Sequence, residues 1–251
     1  MDARGVPKMN AFPYDVSVLI ATHNGALTIG RAIQSAFNNT VKVQVVVCDD
    51  CSNDDTLRVV KTTSPSYQEQ IKLVRHAQNK GTAQALNSAA QAALGRYFII
   101  LGDDDYLQRG ALDALHTALK NRHDVGFAYG ATHYFGASER IHQPDPYYEP
   151  DFWKTFPSLY AVLYDRAAYD GGCTYRDLIT LENGRGLGAC DYDFVLQMIT
   201  HGYTGLALRD VLVLHYLYNP HKRQSALVNE RQKELVARFK ETWSKWEGNA
   251  L

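Results

Sequence analysis

The chain has 251 residues, 45% hydrophobic and 21% charged, with 26 basic against 27 acidic side chains. That is an ordinary globular composition, long enough for a large core without staples, so its four cysteines need not be a disulfide framework. The net charge of -1 argues against a dedicated nucleic-acid binder, and with no secretory h-region and no apolar run long enough for a bilayer the expected setting is cytoplasmic.

In chain order, residues 16–21 form a nearly continuous apolar run of the kind buried parallel strands use. Leu27, Ala32, Ile33, Ala36 and Phe37 recur at helical spacing, with Asn38-Asn39 as a stop. Residues 41–48 are a second strand, rich in β-branched side chains. Asn53-Asp54-Asp55 caps a helix through Val60 that breaks before Pro65. Residues 71–74 make a third strand, 81–94 an Ala-rich helix closed by Gly95, and 97–101 a fourth strand. A helix at 111–120 and a strand at 125–129 follow. This alternation predicts βαβ units: an α/β fold with a Rossmann-like, mainly parallel sheet flanked by helices. Beyond Tyr129 the pattern weakens. Residues 132–158 read as an irregular excursion, 159–163 as a strand, 191–200 as a helix, 211–217 as a strand and 226–246 as a long amphipathic helix. No repeat or linker divides the chain, so residues 1–251 are read as one domain.

Polar clusters fall at three predicted strand ends: Thr22-His23-Asn24-Gly25, Asp49-Asp50-Cys51-Ser52 and Gly102-Asp103-Asp104-Asp105. In open parallel sheets the ligand crevice lies beyond those ends. Three successive carboxylates repel one another unless a cation offsets them, and hard oxygen ligands suit Mg²⁺ or Mn²⁺. The competing reading is a solvated acidic turn that caps the next helix. Asp49 and Asp50 could accept hydrogen bonds from ribose hydroxyls or a pyrimidine imino N–H; the alternative is a capped βα loop, which suits Ser52, Asn53 and Asp55 better.

Three segments in this order, VSVLIATHNGALTIGRAIQSAF, VVVCDDCSNDDT and GTAQALNSAAQAALGRYFIILGDDDYLQ, resemble the inverting nucleotide-sugar glycosyltransferases of family 2. Length and layout are similar to the soluble spore-coat polysaccharide type. The resemblance implies an A-type fold: a nucleotide-binding half at about 1–105 and an irregular acceptor half at about 106–251. It also implies a UDP- or dTDP-sugar donor, a Mn²⁺ or Mg²⁺ cofactor, and a carbohydrate or glycolipid acceptor in polysaccharide or glycoconjugate synthesis. By position, Thr22 and Asp50 would hold the nucleoside with Asp49 beside them. Asp103 would meet the ribose and Asp104 the metal on the diphosphate, while Asp105 would cap a helix. Gly102 stands where the family usually has an additional acid. The family's Glu-Asp pair becomes Cys190-Asp191, which makes Asp191 the general base. His221, Lys222 and Arg223 resemble a basic loop that closes over the diphosphate. Asp193 and Glu182 are lesser candidates for the base, and Asn87 is expected near the crevice without a role.

Three other functions compete. A nucleotidyltransferase would need a basic triphosphate loop after the first strand, which His23-Asn24-Gly25-Ala26 lacks. A non-catalytic nucleotide-sugar-binding module would not need Asp191. A nucleic-acid-modifying sugar transferase would need a basic stripe. Cys48-x-x-Cys51 has no second ligand pair at zinc spacing. His23 and His215 read as structural. Tyr147, Tyr148, Trp153 and Phe156 read as loop packing or a sugar-stacking surface. The stripe Val228, Leu235, Phe239, Trp243 and Trp246 reads as core or homodimer packing, with peripheral membrane contact as the alternative.

Overall fold

The computed structural model describes residues 12–120, 122, 124–137, 139–144, 161–177 and 190–218. The expectations for His221, Lys222 and Arg223, for Glu182, for the aromatics at 147–156 and for the helix at 226–246 lie outside the described residues.

The strands are β1 (Tyr14–Thr22), β2 (Val43–Asp49), β3 (Ile71–Arg75), β4 (Gly95–Ile100), β5 (Tyr106–Leu107), β6 (Phe127–Gly136), β7 (Arg140–His142), β8 (Leu163–Asp165) and β9 (Gly205–Tyr218). The helices are α1 (Ile29–Ala36), α2 (Thr56–Thr62), α3 (Thr82–Ala92), α4 (Ala111–Leu119), α5 (Arg166–Asp170) and α6 (Cys190–Thr200). All strands join one sheet in the order β3-β2-β1-β4-β8-β6-β9-β5, with β7 beside β6. The first four are parallel, and β1 pairs with β2 from Val16↔Val43 to Thr22↔Asp49, so their carboxyl ends finish level. β8 runs antiparallel to both β4 and β6, whereas β6 and β9 pair in parallel.

Successive residues of β1 serve opposite faces, as a period of two requires. Val16, Val18 and Ile20, with Val45 and Val47, pack against Ile29 and Ile33 of α1 and Leu112 and Leu115 of α4. Leu19, Val46 and Phe98 face the alanines of α3 and Phe194 and Met198 of α6. Burial on both faces explains why the first strand reads as an unbroken apolar run. The small side chains of α3 (Ala83, Ala85, Ala89, Ala90) seat that helix close on the sheet. Among the described residues, no helix is long and apolar enough to cross a membrane.

Several boundaries differ from the sequence pattern. α1 starts at Ile29, and Leu27 is wholly exposed, because the Gly25 carbonyl collects the N–H groups of Thr28 and Ile29 in a turn. Gly95 belongs to β4 and does not stop α3: a Cβ there would sit 2.5 Å from the Ser17 backbone N, so glycine permits the approach of β1. The supposed excursion from residue 132 begins as strand. β6 continues to Gly136 with Thr132 and Tyr134 buried, a polar and aromatic alternation that apolar periodicity overlooks.

Candidate active site

The sheet order reverses between β1 and β4, where open α/β sheets form their ligand crevice. Thr22 ends β1, and Asp103 lies just past β4. The Thr22 hydroxyl donates to Asp103 Oδ2 at 2.6 Å. Gly25 makes that meeting feasible, since a Cβ there would fall 2.5 Å from Thr22 Oγ1 and against Asp103 Oδ2. The loop after β1 is bonded to the loop after β2: Asn24 N–H donates to Ser52 Oγ (2.8 Å), and Gly25 N–H to Thr56 Oγ1 (2.9 Å). His23 Nδ1 donates to the Asp50 carbonyl at 2.9 Å, the structural role expected of it. Asn24 and Cys51 both have positive φ, 60° and 67°. Asn tolerates that conformation and Cys does so at a cost.

Asp49 and Asp50 diverge. Asp49 is fully buried, accepts from Ser52 N–H at 3.3 Å and pairs with Arg75 Nε at 3.2 Å across the β2–β3 register. Asp50 faces the N-terminus of α3, where Lys80 N–H (2.9 Å) and Gly81 N–H (2.8 Å) donate to its two oxygens. Gly81, at φ 88°, turns the chain so that these two amides point at one carboxylate. His76 Nδ1 adds a third bond at 2.7 Å.

The acidic loop has its own geometry. Asp105 caps no helix; the residue preceding α4 is Gly110. Asp105 N–H donates to the Gly102 carbonyl at 3.2 Å, and its buried carboxylate folds back over Gly102. A Cβ on Gly102 would lie 2.6 Å from Asp105 Oδ2 and 3.3 Å from Asp104 Oδ1, so an acid at position 102 would contend with Asp105 for the same space. Asp104 is half-buried, and its carbonyl accepts from Arg31 Nη2 at 2.9 Å. The Arg31 guanidinium in turn lies over Tyr106, 4.5 Å from the ring centre. Among the described residues no three His, Cys, Asp or Glu side chains converge on one point. A cation here would be held by the Asp104 carboxylate and would complete its shell with ligand oxygens and water, as Mg²⁺ and Mn²⁺ do.

In the later half of the chain, Asp191 sits in the first turn of α6, half-buried, and burial raises its pKa above the ordinary carboxylate value. Asp193, two residues on, is held away from chemistry by a fork from Arg176 (Nε 2.9 Å, Nη2 2.8 Å) and by Gln197 Nε2 at 2.7 Å. Cys190, at the position of the family's glutamate, points into the core beside Tyr175 and Phe194; burial first, then the Asp191 and Asp177 charges, push its thiol well up. The two sides of the sheet touch through α3. Asn87 Nδ2 donates to the Tyr175 carbonyl (2.7 Å), and Tyr175 N–H donates to Asn87 Oδ1 (3.1 Å). Asp177, whose pKa burial also raises, lies near Gly81, with Oδ2 3.6 Å from where a Cβ would be.

Thr22 and Asp103 are thus in direct contact, Asp50 is joined through the same loops, and Asp49 is turned into the loop beneath. His76 and Arg31 were not foreseen as site residues, and Asn87 was expected near the crevice without a role. Each acts across 26 to 88 residues of sequence, and the placement of His76 just after a strand is the one local mark it carries.

Residues 17–175 match the family model described as Glycosyl transferase family 2, and the chain belongs to that family. The Escherichia coli UDP-Glc:alpha-D-GlcNAc-diphosphoundecaprenol beta-1,3-glucosyltransferase WfaP is 37% identical over 92 residues, 36% of each chain. The succinoglycan biosynthesis protein ExoO of Rhizobium meliloti is 38% identical over 100 residues, covering 39% of this chain and 28% of its own. The matched stretch therefore spans about a third of these relatives' length. Among solved structures, S. aureus TarS 1–349 in complex with UDP-GlcNAc superposes with a TM-score of 0.69 at 18% identity, covering 84% of this chain and 61% of that one. Mannosyltransferase PcManGT from Pyrobaculum calidifontis, in complex with GDP-Man and Mn²⁺, gives 0.67 at 20% identity, covering 96% and 67%. The fold is the A-type glycosyltransferase fold.

Proposed function

We propose that this chain moves a sugar from a nucleoside diphosphate sugar of the UDP or dTDP type to an acceptor hydroxyl, with inversion, in polysaccharide or glycoconjugate synthesis. The observation that carries the reading is the contact of Thr22 with Asp103 at the switch point of the sheet, with Asp50 bonded into the adjoining loops. The UDP-Glc and UDP-GlcNAc named with two of the similar proteins support a uridine nucleotide. In this reading one catalytic unit has a donor half at about 1–105 and an acceptor half beyond it.

Asp50 and Thr22 hold the nucleoside, Asp49 fixes the loop beneath it, and Asp103 accepts from a ribose hydroxyl. A divalent ion held by Asp104, Mn²⁺ or Mg²⁺, would stabilise charge on the departing diphosphate, and His221 and Arg223 would serve the same oxygens. Asp191 takes the proton of the acceptor hydroxyl on the opposite face, and its raised pKa makes it a stronger base than a solvated aspartate. One base and one assisted leaving group suffice for a single displacement, which inverts the anomeric centre. The acceptor is a carbohydrate or a glycolipid hydroxyl, the latter reached by peripheral contact with a membrane.

A thermal-shift panel of UDP-, dTDP- and GDP-sugars, each with and without Mn²⁺, tests the donor class. A bound ligand at a hundred times its Kd stabilises by about 2.7 kcal/mol. The expected result is a shift for a UDP- or dTDP-sugar that needs the metal. Asp104→Ala should abolish metal-dependent donor hydrolysis and weaken nucleoside diphosphate binding; unchanged metal-dependent activity in that variant would overturn the metal assignment.

A further inference from the structure

Behind Asp50 lies a largely buried chain of polar groups, ending at the half-buried Ser88, that the reaction above leaves unused. His76 follows β3 and is 7% exposed. Its Nδ1 donates to Asp50 Oδ1 at 2.7 Å, while its Nε2 lies 2.9 Å from Ser88 Oγ on α3 and 3.6 Å from Cys48 Sγ. The Asp–His–Ser order has the letters of a hydrolytic triad. Ser88, however, sits inside α3, where neighbouring N–H groups are spent on helix bonds and none remains to hold an oxyanion. Burial pushes the Cys48 thiol up to about 12, so it stays protonated and is no competing nucleophile. The chain therefore acts on Asp50 alone.

An ionised carboxylate has about four lone-pair directions. Oδ1 of Asp50 takes the His76 ring and the Lys80 N–H, and Oδ2 takes the Gly81 N–H. Among the described residues three directions are filled, and one, on Oδ2, is left. We infer that His76 sets the nucleobase specificity of the donor site: by occupying Oδ1 it limits Asp50 to one acceptor. One acceptor matches the single imino N–H of uracil or thymine and fails the paired N–H edge of guanine. The inference rests on the reading of Asp50 as a nucleoside-binding residue. His76 is a positioning residue, and of the three groups that bond the Asp50 carboxylate among the described residues it is the one supplied by a side chain.

Equilibrium binding of UDP, N3-methyl-UDP and GDP, all with Mn²⁺, tests this on the full chain and on His76→Asn and His76→Gln. Asn returns an N–H near the position of Nδ1, whereas Gln carries its amide toward Ser88 and leaves Oδ1 open. In the unsubstituted protein, N3-methylation should weaken binding roughly tenfold or more, the worth of one hydrogen bond to a charged group. UDP should also be preferred to GDP. His76→Asn should keep that preference, and His76→Gln should reduce it by about tenfold. Ser88→Ala, which releases the far edge of the ring, gives a milder form of the same comparison should His76→Gln fail to fold. Equal binding of UDP and N3-methyl-UDP by the unsubstituted protein would overturn the reading of Asp50 itself. Discrimination that persists unchanged in both His76→Gln and Ser88→Ala would overturn the role of His76 alone.

Discussion

Asp191 carries its charge where burial disfavours it, and that has consequences for both stability and rate. A carboxylic acid whose folded pKa exceeds its unfolded value binds more protons folded than unfolded between the two, so stability falls as pH rises through that window. The cost grows as pH rises above the ordinary carboxylate value and is complete once pH exceeds the folded pKa. Asp191→Asn should therefore raise the thermal midpoint at pH 7 and lose that advantage below the ordinary carboxylate pKa of about 3.9. The same variant should abolish turnover while sparing donor binding, and the acid limb of kcat/KM in the unsubstituted protein should lie above that value; an unchanged turnover would remove Asp191 as base. The meeting of Thr22 and Asp103 was legible because each sits in a short local motif at the end of a strand. His76 and Arg31 were not, nor was the role of Asn87, because nothing local distinguishes a histidine whose partner lies 26 residues away, or shows that the partner of an asparagine lies 88 away.

At the scale of elements, α3 does more than cover the sheet. The two residues just before it present N–H groups to Asp50, its alanine face lies on the sheet, and Asn87 in its middle holds Tyr175, two residues before Asp177. Asn87→Ala removes two bonds, for an expected loss of about 1–3 kcal/mol measured by urea unfolding. Because those bonds position the segment that the proposed function assigns to the acceptor, turnover should fall further than affinity for the nucleotide. The early strands and helices could be read from apolar periodicity because both faces of β1 and β2 are buried. β5 is only two residues long, and the outer part of β6 alternates threonine, histidine and tyrosine, so neither gives an apolar signal. Asp105 was misread for a related reason: acids near a helix start suggest a cap, but here the chain makes a short strand first.

Over the whole molecule, the parallel strands and the later ones are tied together at β4. Arg96 Nη2 donates to Asp165 Oδ2 at 2.7 Å, with both side chains at or below 5% exposure, and Asp165 also accepts from Ala167 N–H to start α5. Taking away one partner of a buried pair costs about 3–5 kcal/mol, so Asp165→Ala should lower the midpoint of chemical unfolding far more than exposed substitutions such as Asp124→Ala. The joins between the two sides of the sheet differ in kind. The Asn87 side chain grips backbone groups of Tyr175, and Arg166 Nη1 reaches the Ala93 carbonyl, so these hydrogen bonds do not depend on which side chain stands opposite, although the Arg166 guanidinium also lies over the Phe98 ring. Arg96 does depend on its partner. A chimera that grafts the later strands of another family member onto this chain would be indifferent to sequence at most of these polar joins, provided the graft supplies an acid where Asp165 stands.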